Sequence, residues 1–178
     1  GALEEGTQSA KGAFLAVFDS DFVPEKDFLK RLIPFFMHDA EVRLVQARWG
    51  HINKDYSLFT RTQSLGIDGH FIVEQSARCF SGLYINFNGT AGIWRKQTVI
   101  DAGGWKHDTL TEDLDLSYRA QLAGWKATFV PDVVVPAEIP QNVSAFKSQQ
   151  FRWAKGSIQT AIKLFPTLLR SKLTFFQK

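Results

Sequence analysis

Apolar residues along this chain change period several times, and each change marks an element. Ala13 to Phe18 is an unbroken apolar run that stops at Asp19, the pattern of a parallel strand covered on both faces. After Pro24, residues Phe28, Leu29, Leu32 and Ile33 recur at helical spacing, and Pro34 should kink or end that helix. The β-branched stretch Val42 to Trp49, bounded by Gly50, predicts a second strand. Tyr56 to Phe80 holds no proline and keeps a helical period, softened at Gly66 and Gly69. Leu83 to Lys96 predicts a strand, a glycine-rich turn and a further short strand. Thr111 to Trp125 predicts an amphipathic helix with Leu114, Leu116, Tyr118 and Leu122 on its inner side, Thr109 or Thr111 as cap and Gly124 as stop. Lys126 to Pro140 reads as two short strands around Pro131, and a long helix starts at Ser144 and should end at Pro166. Strands alternating with helices predict an α/β fold, a mainly parallel sheet flanked by helices.

Composition narrows the class. The chain has 178 residues, 44% hydrophobic and 22% charged, which is a globular composition rather than a disordered one. Five Trp and sixteen Phe supply stacking surface. The net charge of +3 suits an anionic ligand or membrane surface, and the basic runs expected of a nucleic-acid binder are missing. One cysteine, Cys79, excludes an internal disulfide and gives no nucleophile. The four histidines, at 38, 51, 70 and 107, show no zinc spacing. No run of about eighteen apolar residues exists to cross a membrane.

Four constellations could carry chemistry, and each also has a plainer structural reading. Asp19-Ser20-Asp21 ends a strand, where α/β sheets bind ligands. Its carboxylates could share a hard divalent cation with substrate phosphates or form a capped turn. Thr111-Glu112-Asp113 opens a helix, so its acids could cap or act as a general base. Gln149, Arg152 and Trp153 share one helix face. Such a set suits a sugar and a phosphate, with Trp stacking and Arg neutralising, or an interfacial Trp beside a solvated Arg. In Asn88-Gly89-Thr90-Ala91-Gly92, the glycines permit close backbone approach and Asn88 and Thr90 offer hydrogen bonds, or the stretch is a hairpin turn. Asn88-Gly-Thr90 and Asn142-Val-Ser144 also match the glycosylation pattern, here read as coincidence.

In this order the four motifs resemble the processive inverting glycosyltransferases of family 2, the cellulose synthase, hyaluronan synthase and mannan synthase relatives. The strings GAL, FLKRLIPFF, LVQARWGHIN, FNGTAGIWR and AGGW look especially like the cellulose-synthase-like glucomannan synthases. The resemblance implies a GT-A fold, with 1–143 as the C-terminal part of the catalytic domain and 144–178 as the QxxRW helix and an amphipathic tail. It implies that Asp19 and Asp21 hold Mg2+ or Mn2+ on a nucleotide-sugar diphosphate. Asp113 would be the base that deprotonates the acceptor hydroxyl, with Glu112 and Thr111 shaping the site. Gln149, Arg152 and Trp153 would bind substrate, Trp153 stacking on the acceptor sugar. Asn88, Gly89 and Thr90, in the loop up to Gly92, would form the floor of the acceptor site. The implied donor is UDP-glucose or GDP-mannose and the implied acceptor a growing β-linked polysaccharide. The alternatives are a non-processive family 2 transferase adding one sugar to a lipid or glycan, and a non-catalytic subunit of a polysaccharide synthase.

The chain does not begin with Met, its only Met being Met37, and it reads as an excerpt of a longer protein. By the resemblance, that excerpt lacks the N-terminal βα units that contact the nucleobase. The isolated chain is then expected to be soluble, to bind donor weakly and not to polymerise. In the tail, Phe165, Leu168, Leu169, Phe175 and Phe176 stand beside Lys163, Arg170 and Lys172. This stretch is expected to lie on the cytoplasmic leaflet of a membrane that the longer protein spans. Without a membrane it could pair with a second copy.

Overall fold

The computed structural model describes residues 1–174. Its order is α1 (Ala2–Ser9), β1 (Phe14–Val17), α2 (Phe28–His38), β2 (Val42–His51), α3 (Leu58–Asp68), a π-helical segment (Gly69–Gln75), α4 (Ser76–Phe80), β3 (Gly92–Arg95), α5 (Lys96–Asp101), α6 (Glu112–Leu122), β4 (Lys126–Ala137) and α7 (Val143–Arg170). Phe175 and Phe176 of the expected tail lie outside the described residues.

The sheet order is β1-β3-β2-β4. β3 pairs antiparallel with both β1 and β2, whereas β2 and β4 pair parallel. The expectation of a mainly parallel sheet therefore holds for strand direction, which β1, β2 and β4 share, but not for pairing. The sheet is mixed, because β3 is wedged between β1 and β2. β1 is an edge strand with Ala16 exposed, so its apolar run is not covered on both faces as expected.

Alternation along the central strands divides the core. Val45, Ala47 and Ile93 face Phe28, Leu32 and Phe36 of α2, while Leu44 and Trp94 face Trp105 and Leu116. A third cluster, Phe71, Ile85 and Phe129, lies under the π-helical segment.

Several boundaries differ from expectation. Pro166 lies inside α7 rather than ending it, and Pro34, expected to kink or end its helix, lies inside α2. Residues 126–137 form one strand, not two. The register jumps there from Ala47↔Val130 to Arg48↔Val134, so Pro131 to Val133 bulge out, and a bulge tolerates a residue without an N–H.

The expected strand at Leu83 to Phe87 is not formed. This segment satisfies its backbone with glutamine side chains instead. Ile85 N donates to Gln121 Oε1 at 3.0 Å, and Gln121 Nε2 donates back to Ile85 O at 2.9 Å. Asn86 N donates to Gln75 Oε1 at 3.1 Å, and Gln75 Nε2 donates to Asn86 O at 2.7 Å. Asn88 N donates to Gln46 Oε1 at 3.1 Å, while Gln46 Nε2 reaches Thr90 O at 3.0 Å. All three glutamines are buried. Asn88-Gly89 is accordingly not a hairpin turn, and Asn142 is the N-cap of α7, accepting from Ala145 N at 2.8 Å.

A buried group stripped of its partner costs about 1–3 kcal/mol. Gln121→Met keeps the volume but strands the N–H and C=O of Ile85. It should lower stability by about 2–5 kcal/mol, read as a drop in the urea midpoint with unchanged slope.

Candidate active site

β1 leads into Asp19 and Asp21, and α6 starts at Glu112, at the end of the sheet where the strands sharing one direction finish. The first-turn acids of α6 are Glu112, Asp113 and Asp115, a position the helix dipole favours for negative charge. Asp115 is fully buried and paired with Arg119 and Lys163, each at 2.8 Å. Asp113 has no such partner. Burial first, with the Glu112 and Asp19 charges adding, lifts its carboxyl to about 7 against opposing backbone hydrogen bonds. Asp19 is also pushed up, by burial and then by the charges of Asp21 and Glu112, with Arg152 opposing.

Asp113 faces a cavity of about 540 Å³, large enough for sugar residues. Trp49, Phe59, Phe71, Phe146 and Trp153 supply aromatic wall, and His70, Asn88, Gln149 and Thr111 supply polar wall. Trp153 stands 6.3 Å from Trp49, ring centre to ring centre. Thus Gln149 and Trp153 face the cavity together, while Arg152 is exposed and its charge bears on Asp19. Asp19 and Asp21 are not in the cavity wall.

The loop from Asn88 to Thr90 joins the two sides. Gly89 has φ +82°, and a Cβ there would meet Asp113 Oδ2 at 2.9 Å. Asn88 lines the cavity. Thr90 is fully buried, and its hydroxyl accepts from Asp19 N at 2.9 Å. Thr90, expected among the substrate-binding residues, therefore supports the acid pair from behind.

Thr111 is the N-cap residue of α6 by position but makes no side-chain cap bond. Its hydroxyl meets Thr160 Oγ1 at 3.3 Å. Thr109 is buried.

Sequence reading missed the contacts that dock α7 on this helix start. A Cβ on Gly156 would lie 2.5 Å from Thr111 Cγ2 and 2.9 Å from Thr111 N. Gln159 accepts from Leu110 N at 3.0 Å. Lys163, expected to face lipid, turns inward to Asp115 and to Asp108 at 2.7 Å. Gly156 lies three residues past Trp153, and that spacing was the available signal.

The acid pair is short of positive charge. Asp19, Asp21, Glu112 and Asp113 influence one another against the single cation Arg152. Two neighbouring carboxylates are also the donor set that Mg2+ or Mn2+ takes when phosphate oxygens complete its shell. Among the described residues no group of three or more His, Cys, Asp or Glu side chains is arranged to hold a metal ion. The residues thus fit a cation shared with a ligand rather than a closed protein cage.

Asp113, a carboxyl lifted to about 7, thus stands in the wall of an aromatic cavity, with the charge of Asp19 bearing on it. Residues 1–156 match the family described as glycosyltransferase like family 2, and the chain belongs to that family. It is similar to glucomannan 4-beta-mannosyltransferase 1 of Oryza sativa subsp. japonica, 43% identical over 182 residues, covering 100% of this chain and 35% of the relative. It is also similar to glucomannan 4-beta-mannosyltransferase 2 of Arabidopsis thaliana, 44% identical over 181 residues, covering 100% of this chain and 34% of that relative. The chain thus spans about a third of the length of these relatives. A solved mannosyltransferase of Pyrobaculum calidifontis, in complex with GDP-Man and Mn2+, shares the fold with a TM-score of 0.68 at 19% identity, over 93% of this chain and 43% of that one.

Two outcomes follow from this geometry. Gly89→Ala combines a left-handed backbone with a contact on Asp113, and it should cut turnover of the full-length protein about 10²-fold while leaving the fold cooperative. The raised Asp113 pKa means that the folded state prefers the protonated acid. Its contribution to stability is complete below the ordinary carboxyl range and is lost as pH rises through about 7. Asp113→Asn should therefore raise the melting temperature at pH 8 and leave it unchanged near pH 4.

Proposed function

We propose that this domain transfers a sugar, mannose from a GDP-mannose-type donor, to the hydroxyl of a β-linked polysaccharide with inversion. The observation that carries this reading is Asp113, a carboxyl lifted to about 7 at the mouth of an aromatic cavity, beside a separate acid pair. The names of the relatives support mannose over glucose, and the chain spans about a third of their length.

In this reading the acceptor sugar lies on Trp153 and its hydroxyl points at Asp113. Asp113 takes the hydroxyl proton as the oxygen attacks the anomeric carbon from the face opposite the diphosphate. The new C–O bond forms as the bond to the diphosphate breaks, and the nucleoside diphosphate leaves with the electron pair. Arg152 sits where it can neutralise that leaving charge. Asp19 and Asp21 would hold a divalent cation, which when bound supplies Lewis-acid stabilisation to the leaving diphosphate. Ionised Asp113 is required, so transfer should rise with pH through about 7.

The exposed stripe of α7, Phe151, Ile158, Ile162, Phe165 and Leu169, supports contact with a membrane surface. No helix among the described residues is long and apolar enough to cross one.

In the full-length protein, Asp113→Asn should reduce polymer formation from GDP-mannose at least about 10³-fold with donor binding retained. Asp19→Asn should weaken Mn2+-dependent donor binding, measured by calorimetry. Unchanged polymer synthesis by Asp113→Asn would reject the assignment.

A further inference from the structure

The hydrogen-bond order behind the acceptor loop fixes the protonation of one histidine. Gln75 is anchored to backbone: its Oε1 accepts from Asn86 N at 3.1 Å, and its Nε2 donates to Asn86 O at 2.7 Å. The nitrogen assignment is therefore forced. The same Nε2 lies 3.0 Å from the Asn88 side chain, so the atom it meets must be the acceptor, Oδ1. Asn88 Nδ2 then faces His70 Nε2 at 3.0 Å. A donor there requires Nε2 to be bare, which places the ring proton on Nδ1, 2.9 Å from Glu74 Oε2. Burial raises the Glu74 carboxyl, but its bonds to His70 and Arg78 outweigh this and hold it below the ordinary value. It is thus an acceptor, as the order demands.

We propose that His70 is a positioning residue for the transfer: as the neutral Nδ1–H tautomer it holds the Asn88-Gly89 turn against Asp113. Protonating Nε2 would set two donors face to face. Asn88 cannot answer by flipping, because its nitrogen would then meet Gln75 Nε2, which the backbone of Asn86 has fixed. The segment must instead move, and Gly89 moves with it, since it is the next residue and lies so near Asp113 that an added Cβ would be 2.9 Å from its Oδ2. The site is therefore assembled only while His70 is unprotonated.

The charged and titratable groups around this ring are Glu74 and Arg78 on its own helical run, and Asp113 and Tyr118 on α6. The α7 residues sharing its cavity, Phe146, Gln149, Gln150, Trp153 and Ser157, are neutral. Loss of transfer on acidification then has two sources in the site, the proton on Asp113 and any proton gained by His70.

This inference rests on Asp113-based transfer, and it is separated from that reading by observing the ring itself. Two-dimensional 1H–15N spectra of the chain at pH 8 should show Nδ1–H; an Nε2–H tautomer overturns the proposal whatever the reaction. In the full-length protein, His70→Ala should lower kcat at pH 8 about 10²-fold with the KM for donor little changed. His70→Gln, whose amide can accept from Asn88 and donate to Glu74 without titrating, should recover most of that loss. Wild-type turnover in His70→Ala, or no recovery in His70→Gln, overturns the proposal. Should His70→Ala fail to fold, the tautomer and the turnover of His70→Gln still decide.

Discussion

A backbone segment that runs through a protein interior away from any neighbouring strand must find other partners for its N–H and C=O groups. Between Ile85 and Ala91 these partners are the amides of Gln46, Gln75 and Gln121, which come from β2, the π-helical segment and α6. Each glutamine side chain presents a donor and an acceptor, as a strand residue does, so it can replace one rung of a ladder. Net, each bond contributes about 1 kcal/mol, but leaving a buried group unpaired costs more. The segment therefore has one acceptable position, set from three directions. Its far end carries Asn88, Gly89 and Thr90, so the surroundings of Asp113, Asp19 and the cavity wall all inherit that position.

The same economy explains the distribution of charge. Asp115 and Asp113 stand two residues apart at the start of α6, yet only one of them has cations beside it. Asp115 is enclosed by Arg119 and Lys163 and has nothing left to do chemically. Asp113 has been given a buried place without a cation, which keeps its proton affinity near neutral pH. Two identical carboxyl groups are thereby separated into an ion-paired anchor and an unpaired acid of raised pKa by what stands next to each.

Motif order exposed much of this in the sequence, because local spacing is what helices and strand ends preserve. The acid pair after β1, the acids opening α6 and the Gln149–Trp153 face were all legible for that reason. What could not be read depends on distant partners. Gln46 sits in the middle of an apolar strand pattern, and nothing nearby reveals that it pairs with a loop more than forty residues away. The run Leu83 to Phe87 has strand composition, but its ladder was replaced by side chains. Lys163 looks like a solvated cation beside apolar neighbours until Asp108 and Asp115 are brought to it by the fold. β1 looked doubly covered because an apolar run does not say whether its sheet continues beyond it.

The contact of α7 with α6 gives the site its second constraint. With no side chain, Gly156 lets the helix close on Thr111, and Thr160 and Lys163 extend the contact by one and two turns. A buried ion pair such as Lys163–Asp115 adds little net stability once desolvation is counted, but breaking it leaves a bare charge inside. Its effect is therefore on register: a helix slipped by one residue would lose the lysine, the glycine contact and the threonine pair together. Trp153 lies one turn before Gly156, so the register that satisfies Asp115 is also the register that sets Trp153 near Trp49. The aromatic cavity is shaped by the same buried interactions that hold the start of α6 in place, which is why its aromatic wall and Asp113 cannot be adjusted independently.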